Sequence, residues 1–202
     1  MAMSEFSRRM IILGGAAAAS TAVFLSVNKM GSFALADQAE ESARSGPVTI
    51  VKFGDDGRRI GLAKREKVRR TADEWQKLLS VDSYRVTRRA WTETPESGEL
   101  THEHRTGIFR CICCDNALFD SRAKFESGTG WPSFWEAIAA ESLYEKMDAS
   151  LGMVRREVKC TLYDAHLGHV FADGPDPTGL RYCVNSVALR FCERKTAQGH
   201  DG

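Results

Sequence analysis

Thiols and imidazoles are the side chains of this chain whose types and spacing suggest chemistry. In "RYCVNSVALRF", residues 181–191, Cys183 and Asn185 stand two apart in a stretch that reads as a buried strand. The two-residue period of a strand turns both to one face with Val187, Leu189 and Phe191, and sets the polar pair at the rim of a core. Taken alone, Cys183 reads as a small hydrophobe of that core. "HLGHVF" changes the weighing, because His166 and His169 lie three apart shortly before the thiol, with a Gly-rich loop between. A lone histidine is ordinarily a satisfied surface or core residue. A pair with a thiol and an amide downstream makes a proton-handling pocket. The same pair suits a metal, but no third ligand of comparable quality accompanies it and there is no H-E-x-x-H helix. "SGTGWPSF" sets Trp131 on a rigid turn between Gly130 and Pro132, either as a core aromatic or as an aromatic wall for an apolar group.

A second set of thiols stands apart from the first. "CICC" supplies a C-x-x-C through Cys111 and Cys114, with Cys113 as an extra, and "CTLY" adds Cys160. A second C-x-x-C would complete the four thiolates of a tetrahedral zinc site. Tyr163 stands where that fourth ligand belongs. Three readings stay open: zinc on Cys111, Cys114 and Cys160 completed by Cys113, Asp164 or water; a disulfide among these residues; or free buried thiols. No feature calls for an organic cofactor.

The elements that must position these residues are mostly strands. From Thr94 onward, Gly- and Pro-punctuated stretches such as "ESGEL", "FESGTGWPSF" and "HLGHVFADGPDPTG" separate the strand-like runs "GIFRC", "MVRREVKC" and "RYCVNSVALRF". "PSFWEAIAAESL" offers one or two helical turns. Upstream, "TADEWQKLL" has Thr71 and Glu74 in capping-box spacing, followed by Trp75, Leu78 and Leu79 on one helical face, which predicts a short helix. "IVKFGDDGRRIGLA" suits a hairpin around its Asp-Asp-Gly turn. The expectation is a mainly β domain over residues 70–195, helix first, without repeats.

The formal net charge of +1 and a hydrophobic content of 43% describe a foldable globular chain with no nucleic-acid footprint. The basic runs "KREKVRR" and "RVTRRAW" read as solvated faces. At the N-terminus Arg8 and Arg9 precede an uncharged stretch from Met10 to Asn28, and "ALAD" offers a small-residue cut before Asp37. This is the pattern of a secretory signal, and "SRRMII" resembles the twin-arginine type. Residues 1–36 are therefore expected to be a signal peptide, and 37–69 a linker and N-terminal extension. An uncut anchor is the competing reading, and membrane contact is expected only in that case. Export, to a bacterial periplasm by the twin-arginine route, would place all six cysteines in an oxidising compartment.

Together, "SGTGWPSF", "HLGHVFADGP" and "GLRYCVNS", in that order, resemble the B-type methionine sulfoxide reductases, and the likeness extends over most of the chain after the leader. It implies two antiparallel sheets rolled into a barrel-like domain with a short N-terminal helical segment. It also implies reduction of methionine-R-sulfoxide in oxidised proteins, with Cys183 as nucleophile and a thioredoxin-like thiol as reductant. The chemistry agrees. A sulfoxide sulfur is attacked by a thiolate, and its oxygen leaves badly unless protonated, so the site needs a thiol of lowered pKa, acidic donors and an apolar seat. Cys183 attacks, Arg181 favours its ionised form, His166, His169 and Asn185 polarise or protonate the oxygen, and Trp131 seats the S-methyl.

Three positions depart from the family pattern. Thr129 stands where many relatives carry the cysteine that resolves the sulfenic acid, Tyr163 breaks the zinc-binding quartet, and Glu96 occupies a position that is usually aromatic. Cys192, Cys113 or an external thiol must then reduce Cys183, and Cys192 is a poor direct partner, since a continuous strand would carry it roughly 30 Å from Cys183. Two other classes compete: a zinc-knuckle binding module without turnover, and a general disulfide oxidoreductase, which needs a reactive C-x-x-C at a helix N-terminus.

Overall fold

The computed structural model describes residues 46–67 and 69–194. The leader at 1–36 and the start of the extension lie outside the described residues. Strands β1 (Val48–Phe53) and β2 (Arg59–Arg65) form the hairpin, turned at Asp55-Asp56-Gly57 with Gly57 at φ 76°, and β1 buries Ile50 and Val51. Helix α1 (Ala72–Leu78) starts at the capping box: Glu74 N–H donates to Thr71 Oγ1, and Thr71 N–H donates to the Glu74 carboxylate. Trp75 is buried as expected, whereas Leu78 faces solvent. Helix α2 (Val81–Arg89), capped by Ser80, had no signal in the sequence reading; its sparse apolar residues leave only Val86 as a large buried anchor.

The rest is strand: β3 (Gly107–Cys111), β4 (Ala117–Asp120), β5 (Lys124–Phe125), β6 (Ser133–Phe134), β7 (Leu143–Asp148), β8 (Arg155–Cys160), β9 (His166–Phe171), β10 (Arg181–Val184) and β11 (Leu189–Glu193). They make a six-stranded sheet in the order β5-β6-β10-β9-β8-β7 and a three-stranded sheet in the order β11-β3-β4, with antiparallel neighbours throughout. The class is mainly β, as expected; the ladders do not run on into a closed barrel. No helix among the described residues is long and apolar enough to cross a membrane.

Aromatic side chains join the two sheets. Phe134 of β6 stacks on Phe119 of β4 with centroids 4.3 Å apart and meets Phe109 of β3 edge-on at 4.9 Å, and Tyr182 of β10 reaches Phe119 at 5.8 Å. Phe109, Phe119 and Phe134 are fully buried. Such ring pairs add about 0.5–1.5 kcal/mol each beyond the area they bury, so one face of the six-stranded sheet is fixed against the other sheet.

Two expectations fail locally. "PSFWEAIAAESL" is not helical apart from one 3-10 turn at Ala140–Ser142, because Trp135 N–H and Ile138 N–H donate to Ala123 and Leu118 in neighbouring segments instead of to their own turn. The run 181–191 is not one strand. A 3-10 turn at Ser186–Ala188 breaks it, and the chain leaves the six-stranded sheet at Val184 to enter the three-stranded one at Leu189. Val187, Leu189 and Phe191 therefore do not continue the face of Cys183, and Cys192 lies in the other sheet, interacting with Asp55 and Arg190.

Candidate active site

Strand register lines up the reactive groups. Cys183 on β10 sits opposite Ser133 of β6 on one side and His169 of β9 on the other, and His169 sits opposite Glu157 of β8. Residues directly opposite in a ladder point to the same face. Along β10, Tyr182 and Val184 are buried in the core while Arg181 and Cys183 are only partly buried, so the row lies on the face turned away from the aromatic core.

Three residues of spacing would put His166 on the opposite face from His169 in a regular strand. A β-bulge removes the conflict. His166 pairs with Lys159 and Gly168 with Val158, which leaves Leu167 as the extra residue on β9. Both rings then share a face, edge to plane, with centroids 5.5 Å apart. Gly168 permits the close approach this requires: a Cβ there would lie 2.0 Å from the carbonyl oxygen of Cys183.

Each imidazole has a carboxylate that the sequence reading did not single out. His166 Nδ1 lies 2.7 Å from Glu157 Oε1, and His169 Nε2 lies 2.8 Å from Asp148 Oδ2. Burial raises the Glu157 carboxyl, but the bond to His166 and the charge of Lys159 outweigh it and hold the acid below its ordinary value. Asp148 is held well below the carboxylate range, burial being overcome by bonds from Ser150 and His169 and by Arg155. His169 itself is lowered, chiefly by burial, with Asp148 opposing. An ionised Glu157 requires Nδ1 of His166 to be its protonated nitrogen. The other nitrogen, Nε2, is buried without a partner.

Asn185 and Trp131 are held in place by backbone. The Asn185 side chain donates from Nδ2 to the Leu167 carbonyl at 2.9 Å, and its N–H donates to the same carbonyl at 2.8 Å, so it anchors the bulge. Its Oδ1 accepts the N–H of Glu93. Trp131 Nε1–H donates to the Glu93 carbonyl at 3.1 Å. The loop before Trp131 is knit by hydroxyls: Ser127 Oγ lies 2.8 Å from Thr129 Oγ1 and 2.7 Å from Ser133 Oγ, and Thr129 Oγ1 lies 3.9 Å from Cys183 Sγ.

The thiol differs from the expectation. Burial pushes Cys183 above the ordinary thiol value, and Thr129 and Arg181 only partly oppose it. Arg181 is engaged elsewhere, forming a two-pronged ion pair with Asp173 at 3.0 and 2.8 Å and lying 4.5 Å above the Phe171 ring. Its charge is therefore shared, and desolvation wins.

Cys111, Cys114 and Cys160 come together in two matching turns. Asp115 N–H donates to the Cys111 carbonyl and Asp164 N–H to the Cys160 carbonyl, while Cys111 and Cys160 N–H donate to Asn116 and Ala165. Asp115 and Asp164 both take positive φ, 63° and 53°. The three sulfurs lie within 4.8 Å of one another, and Cys114 Sγ is 3.6 Å from Cys160 Sγ. Zinc–sulfur bonds of about 2.3 Å set tetrahedral edges of about 3.8 Å, so the trio fits three corners of such a site. Tyr163, at the fourth position by backbone equivalence, packs edge-on against Trp75 at 5.7 Å and bonds to Arg70. Asp164 Oδ1 is taken by Lys67 and by Tyr144 OH, and Cys113 stands outside the trio, bonded to Cys111 and Thr87. The sites of the two thiol sets are separate in the fold: the trio caps the β3–β4 and β8–β9 turns, and Cys183 sits on the open sheet face.

The model of the SelR domain matches residues 79–193, more than half of the chain. Over 124 residues the chain is 55% identical to the peptide methionine sulfoxide reductase MsrB of Pseudomonas entomophila (strain L48), covering 61% of this chain and 95% of that protein. It is 54% identical over 126 residues to the MsrB of Herminiimonas arsenicoxydans, covering 62% and 92%, and 53% identical over 129 residues to that of Pseudomonas fluorescens (strain Pf-5), covering 64% and 99%.

Two outcomes follow from the geometry. Gly168→Ala is expected to lose about 1–3 kcal/mol in urea unfolding, since the new methyl overlaps the Cys183 carbonyl; a loss under about 0.5 kcal/mol would mean that strand contact is not tight. Alkylation of Cys183 by iodoacetamide, read by mass spectrometry against pH, is expected to rise with a midpoint above the ordinary thiol value of 9.0, because a raised pKa delays thiolate formation. Arg181→Met moves that midpoint further up; a midpoint below 9 in the unsubstituted protein contradicts the desolvated thiol.

Proposed function

The chain belongs to the SelR-domain family, and from that premise we propose that it reduces methionine-R-sulfoxide in oxidised proteins to methionine, with Cys183 as the nucleophile. The observation that carries the reading is the orphaned Nε2 of His166, buried on the face that displays Cys183. A buried polar atom left without a partner costs about 1–3 kcal/mol, a cost relieved when Nε2 takes a proton and donates it to a substrate oxygen.

In the proposed step the Cys183 thiolate attacks the sulfoxide sulfur while the oxygen takes up a proton, and the oxygen then passes to the Cys183 sulfur as the transient bond between the two sulfurs and the sulfur–oxygen bond of the substrate both break. The overall change takes a thiol and a sulfoxide to a sulfenic acid and a thioether. The thiol proton ends on the transferred oxygen, so no proton is consumed. His166, with Nδ1–H directed at Glu157, bonds the oxygen through Nε2 when it carries a second proton. A desolvated thiol suits this order of events: at rest it is protonated, and once deprotonated a thiol of higher pKa is the stronger nucleophile. Trp131 seats the S-methyl against its indole. His169 and Asn185 support the geometry, the first through Asp148 and the second through the Leu167 bulge.

Thr129 has no thiol to capture the sulfenic acid. The proposed regeneration is therefore by an external dithiol of thioredoxin-like chemistry: one thiol displaces water from Cys183, and its partner then releases Cys183 as the second reductant sulfur closes a disulfide. The Cys111, Cys114 and Cys160 trio is proposed as a structural zinc site that staples the two turns, on the softness of its donors. The twin-arginine leader and a periplasmic location are proposed on Arg8, Arg9 and the small residues before Asp37.

Cys183→Ser is expected to abolish thiol-dependent reduction of methionine-R-sulfoxide. In the unsubstituted protein, one equivalent of substrate without reductant should leave a trappable sulfenic acid on Cys183. Retained activity in the variant sinks the assignment, and bound zinc with no turnover in the unsubstituted protein favours the zinc-knuckle module instead. Fractionation of the source cell should recover protein beginning at Asp37 outside the cytoplasm; full-length protein confined to the cytosol contradicts export.

A further inference from the structure

Glu93 lies between α2 and β3, in neither helix nor strand, yet hydrogen bonds from three separate parts of the site converge on it. Its carboxylate accepts the N–H groups of Ser186 and Val187, at the start of the 3-10 turn that follows Cys183. Its N–H donates to Asn185 Oδ1 at 2.9 Å, and its carbonyl accepts Trp131 Nε1–H at 3.1 Å. The neighbouring segment is drawn onto the same turn: Leu100 N–H donates to Ser186 Oγ, and Gly98 comes so near that a Cβ would lie 2.3 Å from the Ser186 Cβ.

The side chain of Glu93 ties this stretch of backbone to the amides of the turn; its peptide groups do the orienting. Bonds between a carboxylate and backbone N–H groups are roughly twice as strong as neutral ones, and a pair of them on adjacent amides fixes direction as well as distance. Without them the bond from Leu100 N–H to Ser186 Oγ still holds the neighbouring segment to the turn, but the indole of Trp131 and the amide of Asn185 would lose a shared reference at Glu93. Burial raises the Glu93 carboxyl while the two amides lower it, which marks a group kept partly out of water by what it bonds.

We infer that Glu93 is a positioning residue for the reaction, its carboxylate clamping the turn after Cys183 so that its own backbone holds Trp131 and Asn185 in register with the thiol. This rests on the reading of Cys183 and Trp131 given above. The effect falls on the substrate seat more than on the sulfur. Cys183 is placed by the β6–β10–β9 ladder, whereas the Trp131 indole N–H is held, among the described residues, by the Glu93 carbonyl.

The test compares Glu93→Ala and Glu93→Gln with the unsubstituted chain. Protein labelled with 15N-tryptophan gives four indole N–H resonances, from Trp75, Trp91, Trp131 and Trp135, with Trp131 assigned by Trp131→Phe. In Glu93→Ala the Trp131 resonance is expected to move and its solvent exchange to accelerate while Trp75 stays in place. The KM for methionine-R-sulfoxide should rise tenfold or more, and Cys183 alkylation by iodoacetamide should stay within twofold. Glu93→Gln keeps one acceptor oxygen and should show an intermediate shift and a three- to tenfold rise; it decides the matter if the alanine variant does not fold. An unmoved Trp131 resonance, or displacement of all four alike, overturns the inference. If the unsubstituted protein reduces no sulfoxide, the proposed function fails, while the indole resonances still report whether Glu93 holds Trp131.

Discussion

One extra residue in β9 governs the arrangement of this site. Without the bulge at Leu167, His166 and His169 would face opposite sides of the sheet, and only one would share a face with Cys183. With it, two imidazoles, their carboxylates and the thiol lie on a single face across β10, β9, β8 and the end of β7. The bulge is stabilised from several directions: Asn185 bonds the Leu167 carbonyl through both its side chain and its N–H, and Gly168 lets β9 come against the Cys183 carbonyl. A polar amide beside the thiol thus acts on the shape of the neighbouring strand. On the other face, the stack of Phe119, Phe134, Phe109 and Tyr182 keeps the sheet from shifting relative to its partner.

The same geometry sets the electrostatics. A site on a sheet face, walled by a hydroxyl-laced loop and a pair of rings, removes Cys183 from water far enough that burial outweighs the help of Arg181 and Thr129. Each histidine is largely buried and has a carboxylate at hydrogen-bond distance. These acids fix which ring nitrogen carries the proton, and in His166 the other nitrogen, Nε2, is buried without a partner among the described residues. The chain bears an unsatisfied buried atom at rest, which is the kind of local cost expected at a site built for a ligand.

Much of this was legible from residue types. Cys183, His166, His169 and Trp131 stood out by spacing and company, the strands "GIFRC" and "MVRREVKC" read correctly, and the capping box at Thr71 and Glu74 marked α1. What escaped shares one cause, long-range partners. The 3-10 turn at Ser186–Ala188 interrupts a run of strand-forming residues because Glu93, far upstream, takes its amides. "PSFWEAIAAESL" loses its helix to backbone acceptors in other segments. Glu157 and Asp148 look like ordinary surface acids until strand pairing sets them against the imidazoles. The bulge had one local signal, Gly168 inside a strand pattern, and the expectation of a lowered thiol pKa failed because charge shows in a sequence more readily than burial. In the thiol cluster the opposite holds: Tyr163 marked the missing fourth ligand, and the two turns still share one backbone geometry without it.

The most direct test of the shared face is a crystal structure of the Cys183→Ser variant soaked with dimethyl sulfoxide, the smallest sulfoxide with the right groups. The sulfoxide oxygen is expected within hydrogen-bond distance of His166 Nε2, with one methyl against the Trp131 indole and the sulfur facing residue 183. A sulfoxide that orders elsewhere, or an oxygen directed away from His166 while the methyl stands clear of Trp131, would contradict it.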